Sequence, residues 1–182
     1  MNLDKLKPIA STDVAGKRVI VRADLNVPVQ DGKVSDATRL TRLIPGLNDL
    51  ASRGAKLIVI SHFGRPKGRD PKDSLKPVAD TLASLAGMPI AFADDCVGDA
   101  TTAAIAKLAP GGIIVLENTR FHTGEEVNRP RFTEALAALG DIYVNDAFSC
   151  AHRAHSSTEG IAHLLPAYAG PLMMEEINAL KA

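Results

Sequence analysis

The chain has 182 residues, 46% of them hydrophobic, with 21 lysines and arginines, 21 acidic residues, two cysteines and no tryptophan. That length suits one well-buried core, and the mix of apolar and charged residues excludes a disordered or fibrous chain. A formal net charge of zero gives no field towards nucleic acid or membranes, and 4% aromatic content leaves little for base stacking.

Residues 18–23 form the first Val/Ile-rich run, read as a strand, and lead directly into Asp24 and Asn26. An amphipathic helix follows over 36–53, with Leu40, Leu43, Leu47 and Leu50 at three- and four-residue steps, Asp36 as its cap and Pro45 as a kink or restart. The next strand, 56–61, ends in His62, Gly64 and Arg65, and a basic Gly/Pro-rich loop then runs to Asp73. A serine-capped helix spans 74–86 and stops at Gly87. Beyond it come a strand at 90–93, a helix at 99–108, and a strand at 112–117 that meets Asn118 and Arg120. A helix at 130–139 and a strand at 141–145, which runs into Asp146 and towards Arg153, complete the alternation. Residues 147–158 are polar, and 172–180 read as a last amphipathic helix. Strand–helix alternation of this kind predicts an α/β, Rossmann-like three-layer sandwich, a parallel sheet with helices on both faces.

Apolar runs this short, broken by charge or glycine, predict no membrane span. With no basic-then-apolar leader, a cytoplasmic protein is the default expectation. Cys96 and Cys150 are expected as free thiols.

Four strand ends that each deliver a polar or basic group predict one site for a small, multiply charged anion. The guanidinium fork matches paired phosphate or carboxylate oxygens, which singles out Arg39, Arg65, Arg120 and Arg153. Arginines crowded without a ligand should repel one another. Asp24 and Asn26 beside them favour an organic anion, because a carboxylate and an amide can bond a hydroxyl, and His62 adds a switchable charge or a neutral donor. Arg22, Arg42 and Arg69 are assigned to the solvated surface, as are the paired acids Asp94-Asp95, Glu125-Glu126 and Glu175-Glu176. The run Cys150, His152, His155 lacks a fourth ligand and the usual spacing, so no metal is expected. No glycine-rich nucleotide cradle occurs at a strand-to-helix turn. A stand-alone anion-binding module and a nicotinamide-dependent oxidoreductase remain as other readings. The missing glycine fingerprint weighs against the second.

Four segments, 22–28, 61–68, 117–121 and 145–155, closely resemble the phosphoglycerate kinase family, in the family's order. The resemblance covers the chain but only the family's N-terminal half. It implies that residues 1–171 form a 3-phosphoglycerate-binding domain and that 172–182 begin an interdomain helix. By the same resemblance, Asp24, Asn26, Arg39, His62, Arg65, Arg120 and Arg153 would hold 3-phosphoglycerate or 1,3-bisphosphoglycerate, and Arg39 would also face the transferred phosphoryl group. Mg-ATP or ADP would sit in a C-terminal nucleotide domain outside this chain, leaving the fragment inactive alone. A monomer is expected. Five positions depart from the family pattern: Ser149-Cys150 stands where glycine and threonine are common, which raises oxidation sensitivity at Cys150 as an open question, Leu25 and Phe63 replace common hydrophobic neighbours, and Glu175 stands where lysine is frequent.

Overall fold

A computed structural model describes residues 7–182. Strands β1 (Arg18–Arg22), β4 (Lys56–Ile60), β5 (Ala91–Ala93), β6 (Ile113–Leu116), β7 (Ile142–Asn145) and β8 (Ala167–Ala169) form one sheet in the order β5-β6-β4-β1-β7-β8. Every pairing in it is parallel. Strands β2 (Val29–Gln30) and β3 (Lys33–Val34) make a separate antiparallel hairpin. Its turn, Asp31-Gly32, has φ of 50° and 73°, the paired positive φ that a tight hairpin needs.

Both faces of the sheet are covered because the central strands deal alternate side chains to opposite sides. Val19, Val21, Leu57 and Val59 join Leu40, Leu43, Leu47 and Leu50 of α1 (Thr38–Ser52) and Val78 and Leu82 of α2 (Lys76–Ala86) in one buried cluster. Ile20, Ile58, Ile60 and Tyr143 point the other way, onto Ile105 of α3 (Asp99–Ala106) and Phe132 and Leu136 of α4 (Pro130–Ala137). Helix α5 (Pro171–Lys181) buries Met173 and Ile177 beside Ala169. No helix among the described residues is long and apolar enough to cross a membrane.

Several details differ from the sequence-based expectation, among them the β2–β3 hairpin, which no sequence pattern predicted, and α2, which begins at Lys76 and not at Ser74. Helix α1 runs unbroken through Pro45, which lies on the exposed face where the carbonyl it leaves free can be hydrated. The same helix starts at Thr38, after an Asp36 turn in which the carboxylate accepts from the Thr38 amide at 3.0 Å and its hydroxyl at 2.7 Å. Strand β8 was not expected at all. It is three residues long and owes its extended form to pairing with β7.

Candidate functional site

Parallel pairing places the C-terminal ends of the strands on one edge. Arg22 at the end of β1 registers with Ile60 of β4 and Asn145 of β7, and β6 flanks β4 on its other side. The segments after these four strands therefore share a rim. On it, Asn26, His62, Arg65, Arg120 and Arg153 line one cavity of about 620 Å³, with Glu126 and His155 on the same wall. Asp24 and Arg39 lie instead in an adjoining groove of about 220 Å³ with Asp146 and Ser149. Asn26 links the two, since a further hollow is lined by both Asn26 and Arg39.

Hydrogen bonds fix this rim before any ligand arrives. Asp24 accepts from the Asn26 amide at 3.1 Å and the Ser149 hydroxyl at 3.0 Å, and pairs with Arg39 at 3.2 Å. Arg39 also donates to the Asn26 carbonyl at 3.0 Å. Asn26 Oδ1 accepts from the Gly64 amide at 3.0 Å, and Arg120 donates to the Gly64 carbonyl at 3.0 Å. Gly64 has φ of 62°, a left-handed conformation that glycine adopts without strain.

Beneath the rim, two buried residues tie the loops together. The Asn118 side chain accepts from the amides of Phe63 and Arg120, both at 3.0 Å, and donates to the carbonyls of Phe63 at 2.7 Å and Asp73 at 3.0 Å. Glu117 accepts from the Ser74 hydroxyl at 2.6 Å and from the amides of Leu75 and Asn118 at 2.8 and 2.9 Å. These two strand-end residues hold the backbone in place and do not line the cavity.

The charge on the rim is largely uncompensated. Arg65 is exposed, and neither it nor Arg153 has a carboxylate partner among the described residues. Burial lowers the Arg120 pKa; Glu126 opposes that shift, while Arg153 and Arg22 add to it. His62 is 4% exposed and its pKa is pushed down to about 3, first by burial and then by the positive charges of Arg22, Arg120 and Arg153. His155 is lowered as well, chiefly by burial.

Several surface assignments are corrected. Arg22 is 1% exposed, because β1 lies between β4 and β7 and residue 22 shares the inward face of Ile20. Its guanidinium donates to Ser157 Oγ at 3.0 Å, to the Ala23 carbonyl at 2.6 Å and to His62 Nδ1 at 2.7 Å. Glu125 is 1% exposed and accepts from the Ser157 amide at 2.8 Å, so it is no solvated acid. Arg42 and Glu175 do form an exposed pair, at 3.0 Å. Sequence reasoning missed Arg22 and His155. The signal available for Arg22 was a charge placed inside an apolar strand that alternation buries on both faces.

The Cys150-x-His152-x-x-His155 run does not converge on a metal-binding group. The one such group among the described residues is Asp95, Cys96 and His122, away from this cavity, where Asp95 already pairs with His122 at 2.7 Å and Arg69 at 3.4 Å. Both cysteines are free and buried, Cys150 at 3% exposure.

A model of the phosphoglycerate kinase family matches residues 9–182. The chain belongs to the phosphoglycerate kinase family. It is 62% identical over 175 residues to the phosphoglycerate kinase of Rhodospirillum centenum, covering 96% of this chain and 44% of that relative. The enzyme of Xanthobacter flavus is 59% identical over 170 residues, with 43% of its length covered. Among solved structures, phosphoglycerate kinase from Coxiella burnetii aligns with a TM-score of 0.87 at 34% identity, over 97% of this chain and 44% of that one. The Pyrococcus horikoshii enzyme aligns with a TM-score of 0.89 at 30% identity, over 97% and 45%. The chain thus spans less than half the length of these relatives and corresponds to the N-terminal half of a glycolytic transferase family.

Proposed function

We propose that this chain supplies the 3-phosphoglycerate site of a phosphoglycerate kinase, which transfers a phosphoryl group between 1,3-bisphosphoglycerate and ADP to give 3-phosphoglycerate and ATP. The observation that carries this reading is the convergence of Asn26, His62, Arg65, Arg120 and Arg153 on one cavity, with Arg65 and Arg153 lacking carboxylate partners. His62 and the three arginines suit the phosphate, each charge-assisted bond being worth roughly 1.5–3 kcal/mol. Asp24 and Asn26 suit the hydroxyl and the carboxyl end. Arg39, on the groove side, is placed to neutralise charge on the phosphoryl group in transit, where positioning and electrostatics outweigh any protein base. The acceptor is a carboxylate and needs no deprotonation.

The donor set on this cavity is guanidinium, imidazole and amide, with Glu126 as its only carboxylate among the described residues, so it does not fit a magnesium ion, which asks for several oxygen ligands. Mg-ATP or ADP is assigned to the nucleotide domain that the family carries beyond residues 1–171. Helix α5 begins the interdomain helix, and hinge closure brings the two halves together. On this reading the chain binds its acid without turnover.

Thermal melting of the chain with each ligand tests the assignment. 3-Phosphoglycerate is expected to raise the melting temperature through selective binding to the native state, and ADP to leave it unchanged. Equal shifts with both ligands, or none with 3-phosphoglycerate, would overturn it.

A further inference from the structure

Arg22 is an unusual residue to find in the middle of a sheet. It is 1% exposed, it stands on the central strand β1, and it forms no ion pair with a carboxylate among the described residues. Burying a charge in this way is unfavourable, and an apolar side chain would pack the position at lower cost. What the guanidinium gains is a set of polar partners: Ser157 Oγ through Nε, the Ala23 carbonyl and, more distantly at 3.5 Å, Ser61 Oγ through one terminal nitrogen, and His62 Nδ1 through the other. Ser61 Oγ is itself held, accepting from the Leu25 amide at 3.1 Å and donating to the His62 carbonyl at 2.9 Å.

The bond to His62 has only one chemical reading. A guanidinium can donate but cannot accept, so at 2.7 Å Nδ1 must carry a lone pair and no proton. A neutral imidazole with a bare Nδ1 carries its proton on Nε2. Nε2 has no hydrogen-bond partner among the described residues, and His62 is on the wall of the anion cavity. We infer that Arg22 is a positioning residue that locks His62 as the neutral Nε2–H tautomer, so that the ring offers the bound anion one fixed donor and no charge. This rests on the 3-phosphoglycerate reading for the identity of the anion, while the lock itself belongs to the ligand-free chain.

Protonating His62 would set an N–H against the Arg22 N–H. The surroundings oppose it further: Arg120 and Arg153 approach from the segments after β6 and β7, His155 lies beside them, Arg65 shares the cavity, and Glu126 is the one acid among the described residues that lines it. The cavity therefore holds its cationic charge in arginines, which do not titrate, and its geometry in a ring that cannot flip its proton.

Nitrogen-15 NMR of the histidine rings in the ligand-free 182-residue chain tests the lock directly. His62 is expected as a single neutral tautomer, bare at Nδ1, from about pH 8 to about pH 5, where an ordinary histidine gains its proton. A protonated Nδ1, or a titration of His62 inside that range, would overturn the inference without touching the ligand assignment. The second arm is Arg22→Met. It is expected to mix the two tautomers, raise the His62 pKa, and weaken 3-phosphoglycerate binding about tenfold at pH 8, with part of the loss recovered as the ring becomes charged on acidification. A folded Arg22→Met chain that melts earlier but keeps the tautomer and the affinity would show Arg22 to be merely structural. Should that variant fail to fold, the spectrum of the unaltered chain decides. A locked ring in a chain that ignores 3-phosphoglycerate would refute the ligand and leave the lock standing.

Discussion

Arg65 and Arg120 reach the same cavity from different positions, and that difference sets their expected phenotypes. Arg65 is exposed and has no ion-pair partner among the described residues, so Arg65→Ala should weaken 3-phosphoglycerate binding about tenfold or more, the loss of one charge-assisted bond, and leave the ligand-free melting temperature where it was. Arg120 is half-buried and also bonds the Gly64 carbonyl, so Arg120→Ala should cost similar affinity and lower the melting temperature as well. Calorimetric titration beside a melt separates the two, and an unchanged affinity would remove that arginine from the site. Much of this cavity is legible in the sequence, because strand ends in a parallel sheet must share an edge and their basic residues can be read off directly. Burial is less legible. Arg22 and Glu125 look like surface charges in sequence, and their neighbours Ser157 and His62 come from segments 135 and 40 residues distant from Arg22. No local pattern encodes such contacts.

At the scale of elements, helix α5 is anchored by one carboxyl group. Asp146 Oδ1 accepts from the amides of Leu172 at 2.9 Å and Met173 at 3.2 Å, in the first turn. Burial pushes the Asp146 pKa up to about 6, against the pull of those amides. In the unfolded chain the group titrates near 3.9. The native state therefore holds the extra proton between those values, and this group's contribution to stability is full below about pH 4 and lost as the pH rises through about 6. Asp146→Asn keeps an acceptor oxygen and removes the titration. Its melting temperature should match or exceed that of the parent at about pH 7.5, with the gap closing near pH 4, and a parent protein less stable at pH 4 relative to the variant would contradict this. Elements with a clear period were readable in advance: α1 through its leucines, β1 and β4 through their Val/Ile runs. Strand β8, Ala167–Ala169, carries no such period, and the Asp31-Gly32 hairpin is too short for one. Their extended conformation is imposed by partners.

For the whole molecule, the spread of the sheet between two helical layers was the most legible feature, since strand–helix alternation leaves few other solutions. The last helix was legible as an amphipathic element, but its packing on Ala169 was not, because that partner lies on β8, a strand without a pattern of its own. The dealing of alternate residues from β1 and β4 to opposite faces has a spectroscopic corollary. The chain has two tyrosines and no tryptophan, and one tyrosine reports on each layer: Tyr143 packs with α3 and α4, Tyr168 with the cluster beneath α1 and α2. Tyr168→Phe and Tyr143→Phe each leave a single intrinsic fluorophore. Within either variant, urea denaturation followed by tyrosine emission should superimpose on the curve followed by far-ultraviolet circular dichroism, because neither layer can come apart while the strands they share stay paired.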